Sequence, residues 1–394
     1  MDFRTVSGTL FIIGTTVGGG MLGIPLVTAN AGFWPAVVVS GFVALFMCLT
    51  GLLFLEVVLA MPKEANLVTI ARGVLGKKCA IFVGVTFVFL YYCLLSAYCS
   101  IGAPLIAQIV HLLTGAKLSS WVAGAIFVLL FGGVVTLGIR WVNYFNYFAL
   151  ALMGVSYLAL LSLGWYDVDS IRLEEQNFTL AIWAFPVLFS AFGYHNIIPS
   201  LGAYFSYDKK ILRRSIVFGS CSVFLIYVFW QALILGAIPK ELLLDSFTSG
   251  DSSKGLQYLQ KGGIWISYFA SCFGFFAIVT SFFGVAFSMI DFLGDALRQK
   301  REGKSRCFLA FVTLFPPFLI ASIDPTIFLR ALELAGGVGE AILNGALPVL
   351  LIWSLLGQKG KRGQVQYRNK PLLTGLLLIS FGVILLEGYM LLSG

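Results

Sequence analysis

The feature that most constrains this chain is an apolar run from Gly8 to Ala31 that contains Gly18 to Gly20 and then Pro25. The run has the length of a membrane-spanning helix. A glycine inside a helix costs about 1 kcal/mol relative to alanine, so three in succession predict that the helix breaks. In a bilayer, freed peptide groups must face protein, a ligand or a water-filled cavity. The break therefore predicts a binding site, and the alternative is a small-residue face for close helix packing.

Composition places the chain in a membrane. Of its 394 residues, 59% are hydrophobic and only 11% are charged, which is too apolar for a soluble domain of this size. Long uncharged stretches recur throughout, and we predict an all-α polytopic membrane protein with one integral domain, residues 1–394, and no soluble appendage. Eleven spans are expected, at residues 8–30, 34–61, 80–112, 121–138, 143–164, 178–203, 213–238, 263–294, 306–323, 327–356 and 371–393.

The basic residues predict the orientation of these spans. If the N-terminus is inside, 20 of the 26 Lys and Arg residues fall in inside segments and 6 in outside segments. The positive-inside rule then predicts a cytoplasmic N-terminus and an external C-terminus. The net charge of +8 is explained by this asymmetry and does not indicate a nucleic-acid partner.

The sixth span contains a second irregularity, with Gly193, His195 and Pro199 near mid-bilayer, where polar groups are expensive unless they face a cavity. Residues 18–25 and 192–199 align without gaps and share a glycine, an isoleucine and a proline. The two spans are five apart and therefore run in opposite directions, which is typical of inverted-repeat secondary transporters. We predict a 5+5 inverted repeat with discontinuous helices 1 and 6, made of residues 8–164 and 178–356, plus an extra helix at 371–393.

The chemistry of the two breaks suits a zwitterion. Pro25 cannot donate a hydrogen bond to the carbonyl of Met21, nor Pro199 to that of His195, so each break offers carbonyls to a cation. The N–H groups that begin the second half of each helix attract an anion. An amino acid needs both, and its carboxylate can approach the bare backbone at Gly19–Met21.

Titratable residues inside the spans are candidates for coupling. Glu340 either carries a proton or hydrogen-bonds Asn344 one turn later, and His195 either relays protons or is a neutral hydrogen-bond partner. Glu56 and Glu387 lie near span ends, and we expect them to reach the surface or pair with a nearby base.

One tyrosine of the third span, Tyr91 or Tyr92, is expected to form part of the pocket wall, since a polar-tipped ring in mid-bilayer needs a partner. Span 8 supplies a further polar residue, Ser281. The candidate substrate-binding residues are Thr16, Gly18, Gly19, Gly20, Met21, Tyr92, Phe192, Gly193, Tyr194, His195 and Ser281, and the candidate proton carriers are Glu340 and His195.

Other functional classes lack their motifs. The sequence has no Cys/His metal spacing, no nucleotide-binding glycine loop and no nucleophile elbow, so we expect no metal, no cofactor and no enzymatic activity. The polar residues cluster at one depth, which favours an occluded site over the continuous path of a channel. The expected partners are an amino acid substrate, a coupling ion and the lipid bilayer.

These motifs resemble those of the hydroxy- and aromatic amino acid permease family, the bacterial tyrosine- and tryptophan-specific transporters. Residues 14–25 are similar to that family's first-helix signature, G-T-x-[IV]-G-A-G-M-L-x-[LI]-P, with Gly19 in place of the alanine. Residues 192–201 resemble F-G-F-H-x-x-[IV]-P-S-L, with Tyr194 in place of phenylalanine and Asn-Ile where Gly-Asn is common. Further matches lie at residues 280–285 and 291–295.

The resemblance implies a leucine-transporter-like fold and proton-driven uptake of an aromatic amino acid across the bacterial cytoplasmic (inner) membrane. It favours tyrosine, with tryptophan next, although the departures beside the presumed pocket bear on substrate choice. A sodium-coupled transporter of another neutral amino acid is the alternative, because free carbonyls at broken helices also suit sodium.

Overall fold

The computed structural model describes residues 2–62, 65–248, 263–300, 303–357 and 369–393. Within these ranges, ten segments are long and apolar enough to cross a membrane, and a bent pair of helices supplies the eleventh. The predicted eleven-span architecture is thereby confirmed. Eight of the basic residues used to predict orientation lie outside the described residues: Lys63, Lys254, Lys261, Arg301, Lys359, Lys361, Arg362 and Arg368.

The spans are numbered in chain order. Span 1 consists of helix 1a, Phe3–Thr16, and helix 1b, Gly19–Thr28; spans 2 to 5 are Phe33–Ala60, Lys77–Thr114, Ser120–Leu137 and Ile139–Gly164. Span 6 begins with a 3-10 segment, Phe178–Ala184, followed by helix 6a, Phe185–Ala191, a 3-10 turn, His195–Ile197, and helix 6b, Ile198–Tyr204. Spans 7, 8, 9 and 11 are Lys209–Ala237, Ile264–Leu297, Gly303–Ile323 and Lys370–Ser393. Span 10 comprises Phe328–Leu334, Ala335–Ala346 and Leu347–Gly357, and short helices at Leu67–Leu75, Ser170–Glu174 and Lys240–Thr248 lie between spans.

The broken spans lie at the centre of the bundle. Helix 1a packs against span 7, and helix 1b packs against helix 6a. Nearly every residue of helix 1b is buried, from Gly19 to Leu26. By contrast, only 22% of the apolar window of span 11 is buried, so this last helix lies at the periphery and faces lipid along most of its length.

Span 10 has an unusual middle. Residues Ala335–Ala346 form a π-helix, a rare conformation that is frequent at functional sites. Its glycines permit close approach: the backbone at Gly336 lies directly on the carbonyl of Pro186 in helix 6a, and a Cβ at Gly339 would lie 2.8 Å from the Cβ of Leu90 in span 3. The widened turn is thus packed between two neighbouring spans.

One of the two acidic residues expected near span ends behaves as predicted. The Glu56 side chain is buried and forms an ion pair with Lys209, whose Nζ lies 2.9 Å from Oε1. This pair joins the end of span 2 to the start of span 7.

Candidate substrate and coupling site

The break of span 1 is short and sharply bent. Helices 1a and 1b meet at 62°, with only Val17 and Gly18 between them. Gly18 is fully extended, at φ −179° and ψ −143°. The N–H of Gly19 donates to the hydroxyl of Ser281 in span 8 at 2.9 Å, and the N–H of Met21 donates to the carbonyl of Gly18 at 3.1 Å. Gly20, in the same first turn, has no acceptor within the helix, so helix 1b presents the positive end of its dipole here.

Neighbouring atoms leave little or no room for a side chain at any of the three glycines of this break. A side chain at Gly18 would meet the hydroxyl of Ser281, and a Cβ at Gly19 would lie 2.6 Å from the ring of Tyr98. A Cβ at Gly20 would lie 3.0 Å from the Cα of Ala191, at the end of helix 6a. The two interpretations of the sequence, a break and a small-residue packing face, therefore both describe this segment.

The break of span 6 is longer, and a tyrosine of span 7 joins it to span 1. Helix 6a ends at Ala191, and Phe192 to Tyr194 precede the 3-10 turn. The hydroxyl of Tyr227 lies 2.7 Å from the carbonyl oxygen of Ala191 and 2.8 Å from that of Thr16. The Tyr227 hydroxyl donates to one of these carbonyls at a time. No sequence motif predicted a role for Tyr227.

The carbonyl of Met21, expected to be available to a cation, already has a protein donor. The indole Nε1 of Trp230 in span 7 donates to it at 3.1 Å. Proline at position 25 does leave the carbonyl without an intrahelical partner, but the fold supplies one from a neighbouring helix. This expectation is therefore corrected.

A cavity lies between the two breaks and spans 3, 5, 8 and 10. It extends from Thr16 and Gly20 towards Leu67 and Ser288, on the side of the molecule where span 1 begins. The predicted site residues that line it are Thr16, Gly20, Gly193, His195, Ser281 and Glu340. Gly18 and Gly19 form the adjoining backbone beneath Ser281 and Tyr98.

Apart from Gly18 and Gly19, four predicted site residues do not line this cavity. Met21 is fully buried, and the ring of Phe192 packs edge-on against Tyr227. The hydroxyl of Tyr194 is held by the carbonyl of Met47, at 3.1 Å, and by Ser220. Tyr92 points elsewhere, and its hydroxyl donates to the carbonyl of Val312 in span 9 at 2.8 Å.

The tyrosines of span 3 that do line the cavity are Tyr91 and Tyr98. The hydroxyl of Tyr91 accepts a hydrogen bond from Nδ2 of Asn196 at 3.0 Å. Of the two tyrosines considered for the pocket wall, the structure thus selects Tyr91 and excludes Tyr92. Asn196 is one of the positions at which this chain departs from the motif it resembles.

Glu340 occupies the junction of span 10 with the break of span 6. Its Oε2 accepts a hydrogen bond from Nδ2 of Asn344, and its carboxyl lies directly against Gly193, where any side chain would collide with it. The residue is 6% exposed and lines the cavity. The hydrogen bond to Asn344 and the contact with the cavity occur together, so the two interpretations of Glu340 are compatible.

His195 has one occupied and one unoccupied ring nitrogen. Its Nε2 lies 2.9 Å from Oγ1 of Thr50, whose hydroxyl donates to the carbonyl of Phe46. When the Thr50 hydroxyl donates to that carbonyl, Nε2 carries the ring proton and donates to Thr50, and Nδ1 is then an acceptor with no partner in the protein. His195 is 2% exposed and lines the cavity, and its Nδ1 is buried.

The described residues contain no group of three or more His, Cys, Asp or Glu side chains placed to hold a metal ion. The chemistry that the cavity offers is therefore that of a helix N-terminus, backbone carbonyls, hydroxyls, an imidazole and one carboxyl. This set suits a small polar or zwitterionic molecule.

The fold is shared with a solved transporter. The crystal structure of MhsT in complex with L-phenylalanine superposes with a TM-score of 0.72 over 98% of each chain, at 16% sequence identity. Together, the eleven spans and the two central breaks define the leucine-transporter-like fold, as expected.

The chain belongs to the tryptophan/tyrosine permease family, whose model matches residues 1–388. It is 30% identical over 357 residues to tyrosine-specific transport system 1 of Haemophilus influenzae, covering 89% of this chain and 88% of that protein. It is 28% identical over 369 residues to the low affinity tryptophan permease of Escherichia coli, covering 90% and 87%. A tryptophan-specific transport protein of Pseudomonas aeruginosa is 29% identical over 343 residues, covering 84% of this chain and 82% of the relative.

Proposed function

We propose that this chain imports an aromatic amino acid, tyrosine first and tryptophan second, by proton symport with alternating access across a bacterial inner membrane. The observation that carries the proposal is the position of Glu340, which shares one cavity with the break of span 6 and the start of helix 1b. Relatives named for tyrosine and tryptophan transport support the substrate class.

The substrate carboxylate binds at the start of helix 1b. The N–H of Gly20 and the hydroxyl of Ser281 supply donors there, and the helix dipole adds a favourable field. An arginine is unnecessary, because a helix N-terminus alone binds anions.

The substrate ammonium group binds on the span 6 side of the cavity. The Met21 carbonyl accepts from Trp230, the Thr16 and Ala191 carbonyls share the Tyr227 hydroxyl, and the Tyr194 carbonyl accepts from the N–H of Ile197. The carbonyls of Phe192 and Gly193 are therefore the ones proposed for the cation. The protonated carboxyl of Glu340 beside Gly193 adds a carbonyl oxygen as a further acceptor.

The aromatic ring occupies the apolar part of the cavity. Leu90 and Leu94 of span 3 face Gly284 and Val285 of span 8 across it. The buried Nδ1 of His195 has no partner in the protein, and a small shift of the ring would let it accept a hydrogen bond from a phenol hydroxyl or an indole N–H, which favours tyrosine and tryptophan over phenylalanine.

Proton coupling uses Glu340, with His195 as the second candidate. An unpaired carboxylate is expensive within a membrane, so Glu340 is stable when it carries a proton, and the neutral carboxyl still offers the substrate ammonium an acceptor oxygen. Binding of the amino acid and of the proton at adjoining positions links the two equilibria. With the N-terminus in the cytoplasm, the cavity opens inward, towards Leu67 and Ser288.

Sodium coupling is the competing proposal, because backbone carbonyls at two broken helices also suit a sodium ion. The experiment that separates the two is uptake of labelled tyrosine into proteoliposomes with an inward proton gradient and no sodium. We expect accumulation that a protonophore abolishes and that unlabelled tryptophan and phenylalanine reduce, whereas leucine does not. Uptake driven by sodium alone would overturn proton symport, and no uptake of any aromatic amino acid would overturn the substrate assignment.

A further inference from the structure

Glu387 is a buried carboxyl on span 11, a helix that is otherwise mostly exposed. The residue was expected to reach the outer interface or to pair with a base, and the structure contradicts both expectations. It is 1% exposed, its Oε2 has no hydrogen-bond partner, and no ion pair forms with it in the described part of the chain.

The space for this side chain is provided by Gly337 in the π-helical segment of span 10. A Cβ at Gly337 would lie 2.7 Å from Cβ, Cγ and Oε2 of Glu387, so the carboxyl rests on bare backbone. Glu340 follows three residues later in the same segment and faces Gly193 in the substrate cavity. The π-helical segment therefore carries one carboxyl, that of Glu340, which faces the cavity, and it contacts a second carboxyl, that of Glu387, from span 11.

The ionisable groups around Glu387 are few. Arg330 and the half-buried Glu333 interact with it electrostatically from the outer part of span 10, and Cys93 does so from span 3. Glu340 is the remaining acid of span 10, while helix 6a and Leu347–Gly357, which also pack on span 11, contain no acid or base. Since no base contacts its carboxyl, Glu387 is stable in the membrane when it holds a proton.

We propose that Glu387 is a second proton-binding site, on the outer side of the substrate cavity, and that its protonation is coupled to substrate binding through the π-helical segment it shares with Glu340. The proton bound from the outside solution converts the Glu387 carboxylate to the neutral acid, and it leaves the same oxygen when the site empties. Glu333, one step nearer the surface, is the first acceptor for that proton. This inference rests on the proposed proton symport.

Reciprocal linkage provides the test. If protonation of Glu387 strengthens substrate binding, substrate binding strengthens proton binding at Glu387 by the same factor, which for ordinary couplings is about 5- to 150-fold. The affinity of the purified full-length chain for labelled tyrosine is measured across a pH series, together with the substrate-induced infrared difference spectrum in the region of the protonated carboxyl stretch. The variants are Glu387→Gln, Glu387→Asp and Ser380→Ala.

We expect Glu387→Gln to bind tyrosine with a flattened pH dependence, to lose one carboxyl band and to retain tyrosine counterflow. Glu387→Asp should restore the pH dependence with a displaced midpoint, which keeps the test informative if the glutamine variant folds poorly. Ser380 contacts Gly345 from the same face of span 11, and Ser380→Ala should behave as the wild type, since it perturbs the helix contact without removing an acid.

Two negative results are distinguishable. A Glu387→Gln variant with the wild-type pH dependence and all carboxyl bands would overturn this assignment while proton-driven uptake by the wild type stands. Wild-type vesicles that take up tyrosine only with sodium would instead overturn the proposed proton symport, and the Glu387 inference with it.

Discussion

The two broken spans align in sequence but are built differently. In span 1 the helices are separated by Val17 and Gly18 only, and Ser281, Tyr98 and Ala191 pack directly on the glycines. In span 6 the break continues from Phe192 through a 3-10 turn before helix 6b begins. Tight packing makes the first break rigid, as the proposed anion site requires, whereas the longer second break brings its backbone against an ionisable side chain.

This difference assigns separate tasks to the two repeats. The atoms nearest to a Cβ at Gly20 belong to Ala191 of helix 6a, whereas those nearest to a Cβ at Gly193 belong to the carboxyl of Glu340. Substrate recognition is therefore expected to depend most on the shape of span 1, and ion coupling most on the chemistry facing span 6.

The largest expected effect is that of Gly20→Val. A Cβ at this position would already lie 3.0 Å from the Cα of Ala191, and valine adds two methyl groups that have no space. Tyrosine uptake should fall to background while the protein still inserts in the membrane. Gly133→Ala in span 4 is the matched control, because its Cβ would enter open space, and uptake should stay within about twofold of wild type. Wild-type uptake by Gly20→Val would refute the rigid anion site.

Glu340→Gln is expected to separate exchange from accumulation. Glutamine keeps a polar side chain beside Gly193 and Asn344 but cannot bind and release a proton. Counterflow of tyrosine should persist, whereas concentrative uptake driven by a proton gradient should disappear. Retained concentrative uptake would move the coupling role to another residue, with His195→Asn as the next variant.

Tyr227→Phe tests the link between the two breaks. Its hydroxyl is shared by the carbonyls of Thr16 and Ala191, and leaving a buried carbonyl without its donor costs about 1–3 kcal/mol. We expect tyrosine affinity to fall about tenfold. Tyr157→Phe is the matched control, since its hydroxyl donates to the carbonyl of Ile226 away from the breaks. Equal losses in both variants would indicate a general packing effect.

Ser281→Ala should have a smaller effect confined to the substrate carboxylate. The variant removes the acceptor of the Gly19 N–H at the start of helix 1b, a net contribution of about 1 kcal/mol, or about fivefold in affinity. The amino acid and its amide analogue should be affected differently in competition assays. An identical loss for both compounds would contradict a role for Ser281 at the carboxylate.

The smallest expected effect distinguishes Tyr91 from Tyr92. Tyr91→Phe removes the acceptor of the Asn196 amide inside the cavity and should change the tyrosine-to-tryptophan competition ratio by about two- to fivefold. Tyr92→Phe removes a bond to Val312 outside the cavity and should leave the ratio unchanged while lowering thermal stability slightly. A changed ratio in Tyr92→Phe alone would restore the original assignment.

Hydropathy and glycine placement were sufficient to predict the spans and both breaks, because these depend on composition along the chain. The pocket assignments were harder. Tyr91 and Tyr92 are adjacent and point about 100° apart on a helix, so choosing between them requires the rotation of span 3, which packing decides. Met21, Phe192 and Tyr194 were selected for their proximity to a break, although each side chain is directed into the surrounding core.

Hydrogen-bond partners far apart in the chain could not be predicted from the sequence, for the same reason. The donors to the carbonyls of Thr16 and Met21 come from span 7, more than 200 residues away in the chain. No local sequence pattern predicts these roles for Tyr227 and Trp230. The π-helical segment also escaped prediction, since its glycine-rich sequence is equally compatible with a simple kink. Glu387 was misjudged because its distance from a helix end says nothing about the glycine opposite it.

The most direct test of the central claim is the movement of protons with substrate. Proteoliposomes containing the full chain and a trapped pH indicator are exposed to tyrosine in sodium-free buffer, with Glu340→Gln measured in parallel. We expect tyrosine to acidify the lumen in wild-type vesicles and to leave it unchanged in Glu340→Gln vesicles that still exchange tyrosine. Equal acidification in both, or tyrosine entry into wild-type vesicles without any proton movement, would contradict coupling at the cavity between the two breaks.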